Sequence, residues 1–109
     1  MTRKKYKVIL AEHADRMLLA HTEFLARVSI PAARKLICEF KDLKNNLSIN
    51  PHQYPYADDL DVPGIPPNTY RKGVFFGRYK ALFLIENSAV YIDAIIDCRQ
   101  DNKDIYGSQ

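Results

Sequence analysis

Five cations and a tyrosine near the C-terminal end are the residues best suited to chemistry. Arg71, Lys72, Arg78 and Lys80 recur closely, Arg99 follows, and Tyr106 closes the run that begins at Tyr70. Arginine presents a planar fork of donors and lysine a compact point charge, so such a set can hold phosphate or carboxylate oxygens. The same residues also suit the solvated face and turn of a sheet. A net charge of +3 and a pI of 8.9 permit a nucleic-acid or acidic-protein partner without requiring either.

The other reactive residue types stand apart from this set. His13 and His52 have no metal-ligand companion at useful spacing. His21 falls on an apolar helical stripe and reads as a hydrogen-bonded core histidine. Cys38 and Cys98 are far apart without zinc spacing; Cys38 reads as helix packing, and Cys98 has no histidine partner to activate it. No glycine-rich phosphate loop is present, so no cofactor is expected. No apolar run reaches the ~18 residues that span a bilayer. A reduced cytoplasm, away from any membrane, is the expected location.

The elements that must position the cations follow from periodicity. Thr2 to Lys5 form a basic arm, and Tyr6–Leu10 alternates as a first strand. Met17, Leu18, His21, Phe24, Leu25 and Val28 recur at spacings of three and four, marking one face of a helix. Ser29-Ile30-Pro31 breaks it, since proline suits the first turn of a new helix. Ala33, Leu36, Ile37, Phe40, Leu43 and Leu47 line the second helix, and so short a break predicts an antiparallel hairpin. Residues 48–69 hold five of the six prolines and the acids Asp58, Asp59 and Asp61. This long excursion belongs to the domain rather than linking two, and its length marks it as functional or mobile.

Three strands follow, at 70–76, 79–85 and 89–98, joined by short turns into an antiparallel meander. Strict alternation on the last strand predicts Val90, Ile92, Ala94 and Ile96 on one face. Tyr91, Asp93, Ile95, Asp97 and Arg99 fall on the other. One face packs on the helices, and the polar one is available. The expectation is a single α+β domain over 1–109, with one sheet against a helical hairpin in the order β-α-α-β-β-β.

That order resembles the RelE/ParE toxins, the poison half of bacterial type II toxin–antitoxin pairs, over about residues 6 to 106. Tyr70-Arg71-Lys72 followed by Gly77-Arg78-Tyr79-Lys80 looks like the family's hairpin motif. Asn50-Pro51, Pro55, Asp58-Asp59-Leu60 and Pro63-Gly64 look like the loop of its plasmid-stabilisation members. The resemblance implies an antiparallel sheet on a helical hairpin and a cognate antitoxin as partner. In the RNA-cleaving branch it implies ribosome-dependent mRNA cleavage. Arg71, Lys80 and Arg99 then hold the phosphate, and Tyr106 assists proton transfer with its pKa lowered by those cations. Lys72 and Arg78 contact RNA or a partner, and an acidic antitoxin segment would suit the cations of the second and third strands. In the ParE branch the same chain poisons DNA gyrase without chemistry of its own. A degenerate relative would only bind antitoxin. Gly73 departs from the RNA-cleaving pattern, which often has a second lysine there, and Tyr106 is one residue further from Arg99.

Overall fold

The computed structural model describes residues 5–98. Strand β1 (Lys7–Leu10) leads into helices α1 (Glu12–Val28) and α2 (Ile30–Ile49). A 3₁₀ turn at Pro51–Gln53 opens the excursion, which ends at β2 (Arg71–Phe75), β3 (Tyr79–Glu86) and β4 (Ala89–Asp97). Arg99 and Tyr106 lie outside the described residues.

Ser29 makes the hairpin. Its extended backbone ends α1 with its N–H on the Leu25 carbonyl at 2.8 Å, while its Oγ accepts the Ala32 N–H at 3.2 Å and caps α2. Pro31 then occupies the first turn, where no donor is lost. The α2 stripe is buried as the spacing predicts, through Ala33, Leu36, Phe40, Leu43 and Leu47. On α1 the buried stripe is Ala14, Leu18 and Leu25, with Phe24 and Val28 turned out to solvent. Cys38 is exposed, not packed within the hairpin.

The sheet order is β1-β4-β3-β2, with β1 parallel to β4 and the other pairings antiparallel. The last three strands form the expected meander, while the first makes the sheet mixed. Both helices pack on one face, where Phe75, Tyr79, Ala81, Phe83, Val90, Ile92 and Ile95 are buried. Gly73 lies on this face too. A Cβ there would stand 2.9 Å from Leu43 Cδ1, so α2 approaches β2 closely enough that the end of the Leu43 side chain would have to shift to admit one. The position that departs from the RNA-cleaving pattern therefore faces the helices, and a lysine at 73 would not join the open face.

Strict alternation fails on β4. Leu82 pairs with Ala94 but Phe83 pairs with Ile92, so Asp93 is an extra residue opposite β3. Such a bulge resets which face each later side chain takes. Ile95 and Asp97 now share the face of their partners Ala81 and Tyr79, while Ala94 and Ile96 join Leu82 and Lys80 on the open face. The predicted faces are thus exchanged after Asp93.

Candidate functional site

The cations that the sequence places together are divided by the sheet. Lys72 pairs with Leu82 and Lys80 with Val74, which puts both lysines on the open face. Arg71 pairs with Phe83 and so takes the opposite face. Arg78 lies in the β2–β3 turn.

The open face is not available in the way alternation suggests, because the excursion folds back over it. Its first half runs beside β2: Lys72 N–H donates to the Pro55 carbonyl at 3.0 Å and Ala57 N–H to the Tyr70 carbonyl at 2.7 Å. Arg71 fixes this stretch. Its guanidinium donates to the Tyr54 carbonyl at 2.6 Å, the His52 carbonyl at 3.2 Å and the Tyr56 hydroxyl at 3.1 Å, and lies over the Tyr56 ring. Three aspartates then shape the turn that follows. Asp58 accepts Leu60 N–H at 3.0 Å, Asp59 accepts Gly64 N–H at 2.8 Å, and Asp61 accepts Asp58 N–H at 2.9 Å.

This turn delivers Asp61 to the lysines. Its carboxylate is 2.8 and 3.0 Å from Lys72 Nζ and 2.6 Å from Lys80 Nζ, with the Asp61 side chain only 5% exposed. Burial alone would push the Asp61 carboxyl up. Hydrogen bonds from Lys72, Lys80 and the Asp58 N–H, with the Lys80 charge, outweigh it and hold the group well below the usual carboxylate range. Next to this cluster Val62, Pro63, Ile65 and Pro66 arch over Leu82 and Ala94, leaving a hollow of about 360 Å³ whose wall carries Asp93 and Tyr70. The Tyr70 hydroxyl donates to Asp93 at 3.0 Å.

Arg78 is engaged on the other side. It donates to Asp97 through Nε at 3.2 and 3.3 Å and through Nη2 at 3.0 Å. Phe24 of α1 and Tyr79 both lie against the guanidinium. The Asp97 hydrogen bond raises the Arg78 pKa further. His21 behaves as its place in the stripe predicts, with Nε2 3.0 Å from the Ile95 carbonyl. Burial pushes the Cys98 thiol up, away from a reactive thiolate.

Of the five predicted site cations four are described: Lys72 and Lys80 are brought together, Arg71 and Arg78 are each elsewhere, and each of the four has an oxygen partner within the chain. Asp61 and Asp97 organise this arrangement and were not among the predicted site residues. The acidic group at 58–61 was visible in the sequence, but nothing local says which acid reaches across to which cation. Among the described residues no group of three or more His, Cys, Asp or Glu side chains could hold a metal ion, and no helix is long and apolar enough to cross a membrane.

The chain is similar in structure to a solved chain titled "Chromosomal ParDE TA system from P. aeruginosa". The match has a TM-score of 0.66 over 85% of this chain and 96% of that one, at 17% sequence identity. The fold is ParE-like. No family model matches the sequence, and neither does any curated protein. The ParE-like fold accounts for the hairpin and sheet; the Asp61 clamp is a matter of these particular side chains.

Proposed function

We propose that the chain is the toxin of a bacterial type II toxin–antitoxin pair, and that it acts by docking on a target protein rather than by cutting RNA. The fold likeness to a chain of a ParDE toxin–antitoxin system supports the first part. One observation carries the second: Lys72 and Lys80 close on the buried Asp61 while Arg71 lies on the opposite face. A phosphate brought to Lys80 would meet the Asp61 charge. Two like charges ~5 Å apart at an effective dielectric of ~20 repel by roughly 3 kcal/mol, which offsets about what one of the two ammoniums supplies at a similar distance, in a place where a cleaving site must stabilise added negative charge. The ParE branch of the resemblance described above points to DNA gyrase as the target that a docking toxin would take.

The test is purified protein in a coupled translation reaction, with primer-extension mapping of a reporter mRNA, beside a gyrase supercoiling assay. Intact mRNA with inhibited supercoiling and arrested growth is the expected outcome. Discrete ribosome-dependent cuts that vanish with Lys80→Ala would return the chain to the RNA-cleaving branch. Intact mRNA and unimpeded growth would make it a relative that only binds antitoxin.

A further inference from the structure

The acids gathered at the sheet are treated differently by the chain. Asp61 closes on Lys72 and Lys80, and Asp97 closes on Arg78. Asp93 does neither. Its Oδ2 accepts the Tyr70 hydroxyl at 3.0 Å, and among the described residues no Lys, Arg or His lies within ion-pair distance of its carboxylate. Asp93 is half-buried all the same. A charge partly withdrawn from water and given one neutral donor is under-compensated within the fold.

The bulge sets where this charge sits. Asp93 is the extra residue between Ile92, which pairs with Phe83, and Ala94, which pairs with Leu82. Bulges re-aim side chains and occur often beside binding sites. Here the carboxylate lines the hollow of about 360 Å³ that Pro63 and Pro66 arch over Leu82 and Ala94. The arch is braced. Asp59 accepts the Gly64 N–H at 2.8 Å, the Ile65 N–H donates to the Val62 carbonyl at 3.1 Å, and each proline fixes its own φ. The hollow is therefore preformed, and small-molecule sites run from about 300 to 1,000 Å³. Its side chains are apolar apart from Asp93 and the Tyr70 hydroxyl.

We propose that this hollow binds a small organic cation, a primary ammonium carried on a compact apolar body. The ammonium donates to the Asp93 carboxylate, and the body packs on Leu82, Ala94 and the proline arch. The Tyr70 ring gives that body an aromatic wall, while its hydroxyl holds the carboxylate in place. An anion would be repelled by Asp93, and a neutral apolar molecule would leave the charge uncompensated. A lysine of a partner protein carries the same head, but its single four-carbon stem is too slender to fill the hollow, and unfilled apolar space forfeits contacts. The ligand is a free amine. Its binding does not depend on which target the chain docks on.

The experiment is an amide-resolved NMR titration of the full chain with benzylamine and with cyclohexylmethylamine, both protonated at neutral pH. The comparison ligands are benzyl alcohol, benzoate and Nα-acetyl-lysine N-methylamide. Shifts confined to the amides around Gly64, Ile65, Tyr70, Leu82 and Ala94 are expected, with benzylamine about tenfold or more tighter than benzyl alcohol and no binding of benzoate. Asp93→Asn should bring benzylamine down to the level of the alcohol. Ala94→Phe, on the open face of β4, should fill the hollow and abolish binding of both amines. Each variant is first shown to keep the wild-type amide pattern away from the hollow; if Asp93→Asn misfolds, the ligand comparison on the wild type decides alone. Absent or scattered shifts with both amines, an alcohol that binds as tightly as benzylamine, or binding that survives Ala94→Phe would each overturn the proposal. Tighter binding of the lysine amide at the same place would overturn it too, and would give the hollow to a partner's side chain.

Discussion

Asp61 Oδ1 lies 2.6 Å from Lys80 Nζ, across a separation of 19 residues, and the same carboxylate holds Lys72. A loop acid thereby ties β2, β3 and the proline-rich excursion into one unit. Replacing Asp61 with Asn should cost about 2–3 kcal/mol, because it leaves two poorly exposed ammoniums facing a neutral amide. Urea denaturation of both proteins at neutral pH measures it.

The pH dependence follows from the same carboxylate. Its folded pKa is depressed, so its contribution is fully present above the unfolded value of about 3.9 and is lost as pH falls below it toward the folded value. The stability gap between wild type and Asp61→Asn should therefore be constant from neutral pH down to about 5 and shrink below about 4. Thermal unfolding of the pair across that range checks the sign. A gap that widened in acid would contradict the assignment.

Arg78 and Asp97 form a fork of hydrogen bonds with side chains 17% and 10% exposed. Asp97→Ala should cost about 2–4 kcal/mol, most of it from stranding the guanidinium. Arg78→Lys should recover only part of an Arg78→Ala loss, since one ammonium cannot reproduce the planar fork. A double-mutant cycle by calorimetry measures the coupling.

Gly73 separates packing from chemistry. Gly73→Ala should destabilise by about 1–2 kcal/mol through contact with Leu43, and the penalty should shrink in a Leu43→Ala background. Gly73→Lys should lower stability further without adding RNA cleavage, because its side chain would enter the helix layer.

Arg71 holds the start of the excursion to the edge of β2. Arg71→Ala should speed exchange at the Ala57 and Lys72 amides, which bond across that edge, while leaving the amides of α2 protected. Uniform loss of protection would instead mean that Arg71 supports the whole fold.

Local spacing was enough for the hairpin. Ser29-Ile30-Pro31 carries its own cap and its own helix start, and the Ala33-to-Leu47 stripe states which side of α2 is buried. The two C-terminal turns likewise follow from short polar breaks between β-type runs. These features depend on neighbours a few residues apart, so they can be read directly.

The candidate site depended on contacts that no local pattern encodes. One extra residue, Asp93, reverses the faces of everything after it on β4, because side-chain direction has a period of two and cannot absorb an odd insertion. Which of Asp58, Asp59 and Asp61 reaches the lysines is set by the turn that all three build together. Phe24 leaves the expected stripe and meets Arg78, far away in sequence. The parallel place of β1 beside β4 arises only once the helical hairpin has crossed the sheet. Sequence spacing specifies the elements; the long-range pairing of strands and charges decides which acid each described cation meets.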